Sequence, residues 1–186
     1  MKVAILGSGS WATALAKIIL NNVDEIIWYI RKQDTIDEFV ENRRNPNHLE
    51  WAYFDTSKIY FSTDINEVLD LSNTAVIAIP SPYIRQSLDA INIDISSKKI
   101  ISAVKGMIPD ENMLVTDYIH QHFNVPEGNI GVIAGPCHAE EIALERLSYL
   151  TIGCTNIEQA KLWSELLTTK FVHVSPSNDV IGLEYS

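Results

Sequence analysis

Six residues near the N-terminus, Gly7-Ser8-Gly9-Ser10-Trp11-Ala12, constrain this chain more than any other feature. They follow an apolar run at residues 2–6 and open a stretch, residues 10–21, in which Trp11, Leu15, Ile18 and Ile19 recur at helical spacing. A G-x-G-x-x-G/A segment between a buried strand and a helix has a physical logic. Gly7 permits the tight turn, Gly9 lets a pyrophosphate approach the backbone, and Ala12 still allows close helix–strand packing. Free amides at the helix start then face the phosphates, helped by the positive end of the helix dipole. The pattern predicts a dinucleotide site. Its plainer alternative is an ordinary βα turn that happens to hold two glycines.

Strand and helix signals alternate along the rest of the chain. Short runs rich in β-branched residues at 25–30, 74–79, 99–104, 129–134, 148–154 and 171–174 read as strands. Residues 35–42, 84–91, 111–122 and 157–167 read as helices. This spacing predicts an α/β fold, Rossmann-like and doubly wound, with a mainly parallel sheet and helices on both faces. Arg43-Arg44-Asn45-Pro46-Asn47-His48 reads as a loop. With no repeat, low-complexity tract or linker, residues 1–186 are expected to form one domain. The last residues, 179–186, look like a helix that has just begun, so the chain is expected to be a fragment.

Composition narrows the function classes. Apolar residues at 46% and charged residues at 20% exclude collagen-like, mucin-like and wholly disordered chains. Two cysteines, Cys137 and Cys154, are too few for a disulfide framework or a cysteine-rich zinc site. No apolar run approaches the length of about 18 residues that a membrane span needs, and the N-terminus lacks a signal-peptide pattern. A cytoplasmic protein with no membrane insertion is expected. Fourteen Lys and Arg against 24 Asp and Glu give a net charge of −10, which argues against a nucleic-acid surface. An anionic ligand must then be met by locally placed cations and backbone amides.

Several strand ends carry such groups. Cofactor choice is read about 20 residues after the glycines, where an NAD-specific site usually holds an acid. Here Trp28-Tyr29-Ile30-Arg31-Lys32 offers two cations instead, which favours a site that accepts the 2′-phosphate of NADP(H); a solvated basic pair is the alternative. In Ala78-Ile79-Pro80-Ser81-Pro82, Ser81 either meets the cofactor or caps a helix. Lys105, before Gly106 at the tip of another strand, is expected to point its ammonium into the ligand crevice rather than snorkel at the surface. Gly135-Pro136-Cys137-His138-Ala139-Glu140 ends a strand and opens a helix. Cys137 with His138 or His173 is a formal nucleophile–base pair, but no third orienting group is visible, and a small buried cysteine is expected. His120 and His122 lack a third ligand, so no metal site is expected.

With Gly7–Ala12, Pro80-Ser81, Lys105-Gly106 and Gly135-Pro136 in register, the chain resembles the bacterial-type NAD(P)-dependent glycerol-3-phosphate dehydrogenases from Met1 to Ser186. Less diagnostic matches include residues 42–49, Ser62-Thr63-Asp64 and Ile181-Gly182-Leu183-Glu184. The resemblance implies that Ser10, Trp11, Arg31, Lys105 and Ala139 serve NAD or NADP, with Lys32 beside Arg31; the glycine pattern itself adds Gly7, Gly9 and Ala12, and Ser81 joins them in one of its two readings. It implies further that Lys105, Gly135 and Cys137 meet dihydroxyacetone phosphate or sn-glycerol 3-phosphate. Three places depart from the family, one of them His138, which stands where Phe is usual. Cys137 stands where Ser or Thr is usual and is a poor hydrogen-bond donor, and Glu50-Trp51 replaces a common Pro-Gly pair. The family's catalytic lysine lies in a second, helical domain, and its counterpart is expected beyond Ser186, which leaves this chain inactive alone. A homodimer is implied for the full-length protein. Other two-domain reductases of the 2-hydroxyacid or 6-phosphogluconate kind, or a non-catalytic nucleotide-sensing module, are the alternatives.

Overall fold

The structure, a computed structural model, describes residues 1–109 and 111–185. Its first strand, β1 (Val3–Leu6), is apolar and buried throughout. Side chains alternate across a strand, so Val3 and Ile5 enter one core while Ala4 and Leu6 enter a second core on the other face. A strand covered on both sides needs an unbroken apolar run, and β4 (Thr74–Ile77) is built the same way.

The remaining strands are β2 (Ile26–Tyr29), β3 (Ile59–Ser62), β5 (Lys99–Ser102), β6 (Met107–Ile108), β7 (Met113–Leu114), β8 (Ile130–Ala134), β9 (Ser148–Cys154) and β10 (Val172–Ser177). Eight of the ten form one sheet in the order β10-β9-β8-β5-β4-β1-β2-β3. From β3 to β8 the neighbours pair parallel; β9 runs antiparallel to β8, and β10 parallel to β9. Chain order reverses at β1, with β2 on one side and β4 on the other. That switch point is where open α/β sheets form a ligand crevice at their carboxyl edge.

Helices α1 (Ser10–Ile19), α2 (Gln33–Asn42), α6 (Ala139–Ala143) and α7 (Ile157–Leu167) pack into the core of Val3 and Ile5. Helices α3 (Ile65–Asp70), α4 (Ser81–Asp89) and α5 (Val115–Phe123) cover the opposite face. A short α8 (Val180–Glu184) follows β10. Ten residues are too few to hold α1 as an isolated helix in water. Burial of Leu15, Ile18 and Ile19 holds it, each contributing about 1.5–3 kcal/mol.

The expected architecture is present, with local corrections. The β3–α3 pair has no counterpart in the sequence reading: β3 is an edge strand with Tyr60 exposed, and α3 is six residues long and capped by Asp64. The helix expected over 111–122 starts only at Val115, because Met113-Leu114 pairs antiparallel with Met107-Ile108. The helix expected over 84–91 is shifted to Ser81–Asp89, with Pro82 in its first turn. The last strand extends through Pro176, which an edge strand tolerates since no partner needs its N–H. Strand β9 and helix α7 match their expected bounds. Ser186 lies outside the described residues.

Candidate functional site

The glycine turn joins β1 to α1 at the switch point. Gly7 has φ +120°, and a Cβ there would lie 2.5 Å from the Ala78 carbonyl oxygen, so its backbone fits against the end of β4 only as glycine. Gly9 differs. Its φ is −74°, and an added Cβ would meet no protein atom within 4 Å. Open space at Gly9 therefore has no packing explanation, whereas Gly7 has a complete one.

Three successive carbonyls of the turn are held toward the protein. Gly7 O accepts from Trp28 Nε1 at 2.7 Å, and Ser8 O from Asn45 Nδ2 at 2.9 Å. Gly9 O accepts from Thr13 Oγ1 at 2.9 Å and Thr13 N at 3.0 Å. The N–H groups of residues 9–12, the cap and first turn of α1, find no acceptor among the described residues. Unpaired donors at the positive end of a helix, beside open space, form a fit for an anion that approaches the backbone closely.

On one side of this turn the chain leaves β2 through exposed Arg31 and Lys32, the latter the N-cap of α2. Among the described residues Arg31 has no ion pair. Burial raises the Tyr29 hydroxyl above its ordinary pKa; Arg31 pulls it back and Asp64 adds to the rise. On the other side Ser81 is the first residue of α4 behind the cap Pro80, so helix capping is not its role.

Beyond the turn, a cavity of about 290 Å³ is lined by Ser10, Trp11, Lys105, Gly135, Cys137 and Ala139, together with His138 and Glu140. Six expected site residues from three chain segments thus meet in one place. Ala12 is fully buried under them, as close helix–strand packing requires. Lys105 is exposed and also lines a second cavity of about 500 Å³ with Gly106, Gly135, Leu183, Glu184 and Tyr185. Gly135 has φ +154°, and a Cβ there would lie 2.8 Å from Tyr149 O, so close approach of β9 also demands glycine.

Cys137 is half-buried, not buried as expected. Its Sγ donates to Tyr149 O at 3.0 Å and accepts from Tyr149 N at 3.2 Å, so the thiol bridges to the β9 backbone. His173 stacks on the Tyr149 ring and His138 begins α6; no hydrogen bond joins either ring to the sulfur among the described residues. His120 binds Val125 O, and His122 binds Tyr118 O while stacking on that ring. Both are structural.

Three contributors escaped the sequence reading. Asn45 is fully buried, although its neighbours read as a polar loop. His48 Nδ1 lies 3.2 Å from Ser10 Oγ at the mouth of the turn. Glu184, only 6% exposed, accepts from Thr116 N at 3.1 Å and from the Thr116 hydroxyl, which ties α8 to the start of α5. Burial pushes its carboxyl above the ordinary value against the pull of the Thr116 bonds. No short-range pattern marks these three, since each partner is distant in sequence.

A family model described as the NAD-dependent glycerol-3-phosphate dehydrogenase N-terminus matches residues 2–160. The chain belongs to this family. It is 31% identical over 185 residues to a glycerol-3-phosphate dehydrogenase [NAD(P)+] of Exiguobacterium, covering 98% of this chain and 54% of that one. With the enzyme of that name from Bacillus pumilus it shares 32% identity over 187 residues, covering 98% and 53%. Thus the chain spans about half the length of the curated relatives it matches. A solved structure of Plasmodium falciparum glycerol-3-phosphate dehydrogenase superposes with a TM-score of 0.86 at 25% identity, over 97% of this chain and 53% of that one. The Coxiella burnetii enzyme superposes at 0.84 with 24% identity, over 98% and 55%, and shows the shared fold. As a member of the glycerol-3-phosphate dehydrogenase family, the chain carries the glycine turn, Lys105 and the Gly135 turn at one sheet edge.

Proposed function

We propose that this chain is the nicotinamide-dinucleotide half of an oxidoreductase that interconverts dihydroxyacetone phosphate and sn-glycerol 3-phosphate for phospholipid synthesis. The observation that carries the reading is Gly9: space where its Cβ would stand, in front of the unpaired N–H groups of α1. In this reading those N–H groups hold the pyrophosphate, while Arg31 and Lys32 receive the adenosine ribose end and accept a 2′-phosphate. Ser10, Trp11, Lys105 and Ala139 line the cavity assigned to the nicotinamide end, and Ser81, outside that cavity at the start of α4, is assigned to the cofactor as well. NAD(P)H, when bound, supplies the hydride.

Lys105 faces both cavities and brings a cation to the crevice of a protein with net charge −10, beside Gly135 and Cys137 on the substrate side. A charge so placed stabilises negative charge developing on a carbonyl oxygen. Cys137 contributes shape more than a hydrogen bond, because its thiol is already engaged by Tyr149. The family resemblance implies a proton-donating lysine outside residues 1–186. A cytoplasmic location, no nucleic-acid partner and a homodimeric full-length protein complete the proposal.

Calorimetric titration with NADPH and NADH tests it. One-to-one binding of both is expected, and Arg31→Ala should weaken NADPH by about 1.5–3 kcal/mol more than NADH, the worth of a charge-assisted contact. Equal losses would make Arg31 a surface residue, and no binding of either cofactor would overturn the function.

A further inference from the structure

Most of the donors that orient the glycine turn are local or belong to the adjacent strand. Thr13 is in α1 and Trp28 in β2. Asn45 comes from neither. It lies on the segment 43–54 between α2 and β3, 37 residues from the Ser8 carbonyl it binds. Its amide is fully committed: Nδ2 donates to Ser8 O at 2.9 Å and Thr13 Oγ1 at 2.8 Å, while Oδ1 accepts from Asn47 N at 3.0 Å. The residue is 0% exposed.

The segment that delivers Asn45 is itself fastened. Arg43 ends α2 with φ 53°, and Phe54 N donates to Arg43 O at 2.8 Å, which closes the loop. Leu49 and Phe54 are buried, and the Phe54 ring packs against Trp28 and Phe39 at 5.7 and 5.4 Å. The same Trp28 holds Gly7 O. One aromatic cluster therefore anchors both remote donors to the turn.

We propose that Asn45 is a positioning residue for the pyrophosphate: by holding the Ser8 carbonyl inward, it keeps the following N–H groups turned toward the ligand. A peptide unit is planar, so the Ser8 carbonyl and the Gly9 N–H point in opposite directions. Fixing one fixes the other. Released, the Ser8 oxygen can rotate outward and set a partial negative charge against the anion. Asn45 touches no ligand in this role. It acts through the peptide that does, and the inference rests on the dinucleotide reading above.

The test compares wild type, Asn45→Ala and Thr13→Val by calorimetry with NADPH and with inorganic pyrophosphate, and by thermal melting. Thr13→Val keeps the side-chain shape while removing the hydroxyl that Asn45 and Gly9 share. In Asn45→Ala the folded protein should bind NADPH about tenfold more weakly, the scale of one lost buried hydrogen bond. Pyrophosphate affinity should fall in parallel, and the backbone ¹⁵N–¹H resonance of Gly9 should shift in the free protein. Should Asn45→Ala fail to fold, the near-isosteric Asn45→Leu, which cannot donate to Ser8 O, should show the same losses, whereas Thr13→Val, which leaves the Asn45–Ser8 bond in place, should show smaller ones. A lower melting temperature with unchanged affinity and an unmoved Gly9 resonance would reduce Asn45 to a structural role and overturn the inference. Wild type that binds neither ligand would instead bring down the dinucleotide reading, and this inference with it.

Discussion

Two glycines of one six-residue motif should respond to alanine with opposite signs. At Gly9 the backbone is extended, φ −74° and ψ 179°, and a Cβ meets nothing within 4 Å. Gly9→Ala therefore leaves the folded state unstrained and narrows the unfolded ensemble, which raises stability by about 0.4–1 kcal/mol. For a domain of this size that is about 1–4 °C in Tm. At Gly7 the φ of +120° is unsuited to an L side chain, and the Cβ would sit 2.5 Å from a carbonyl oxygen that the sheet holds in place. Gly7→Ala should lose at least about 1–3 kcal/mol from backbone strain alone, with the contact adding to it. Urea unfolding and thermal melting read both. Calorimetry completes the contrast: the stabilised Gly9→Ala should bind NADPH more weakly than wild type, and Gly9→Val should not bind it at all. Destabilisation at Gly9 equal to that at Gly7, or unchanged NADPH affinity in Gly9→Val, would refute the assignment of one glycine to the fold and the other to the ligand.

Other perturbations follow from single contacts. Trp28→Phe leaves the Gly7 carbonyl without its 2.7 Å donor, which should lower stability by about 1–3 kcal/mol in urea unfolding and weaken NADPH binding. Glu184 holds its proton more tightly folded than unfolded, where the ordinary value is 4.5, so the folded state binds more protons across the interval between the two values. Its contribution is thus full below the unfolded value and is lost as pH rises through the folded one. Melting temperatures of wild type and Glu184→Gln measured from pH 4 to 8, a range spanning the ordinary carboxylate value, should show wild type losing ground to the variant as pH rises; parallel curves would contradict it.

What the sequence reveals and what it hides divide by range. The β1 turn is legible because its strand, glycines and helical stripe are contiguous, and Lys105 and Gly135 are legible because both end buried apolar runs. Strand β3 and helix α3 are hidden because an edge strand and a six-residue helix carry too few apolar positions to show a period. Asn45 is hidden for another reason. Arg-Arg-Asn-Pro-Asn-His looks solvated, and only the fold turns one of its amides inward onto Ser8. Glu184 reads as part of an unfinished helix until α5 supplies Thr116. In sequence Cys137 looks like a buried hydrophobe, yet the Gly135 turn brings its sulfur beside the backbone of Tyr149.

The central claim is that a nicotinamide dinucleotide lies across the glycine turn with its pyrophosphate on the α1 amides. A ¹⁵N–¹H correlation spectrum of the 186-residue chain, followed through an NADPH titration, tests it most directly. Saturable shifts should centre on Gly9, Ser10, Trp11 and Ala12, with further shifts at Arg31 and Lys32 on one side and Lys105 and Ala139 on the other. Shifts that spare residues 9–12, or none at all at saturating NADPH, would contradict it.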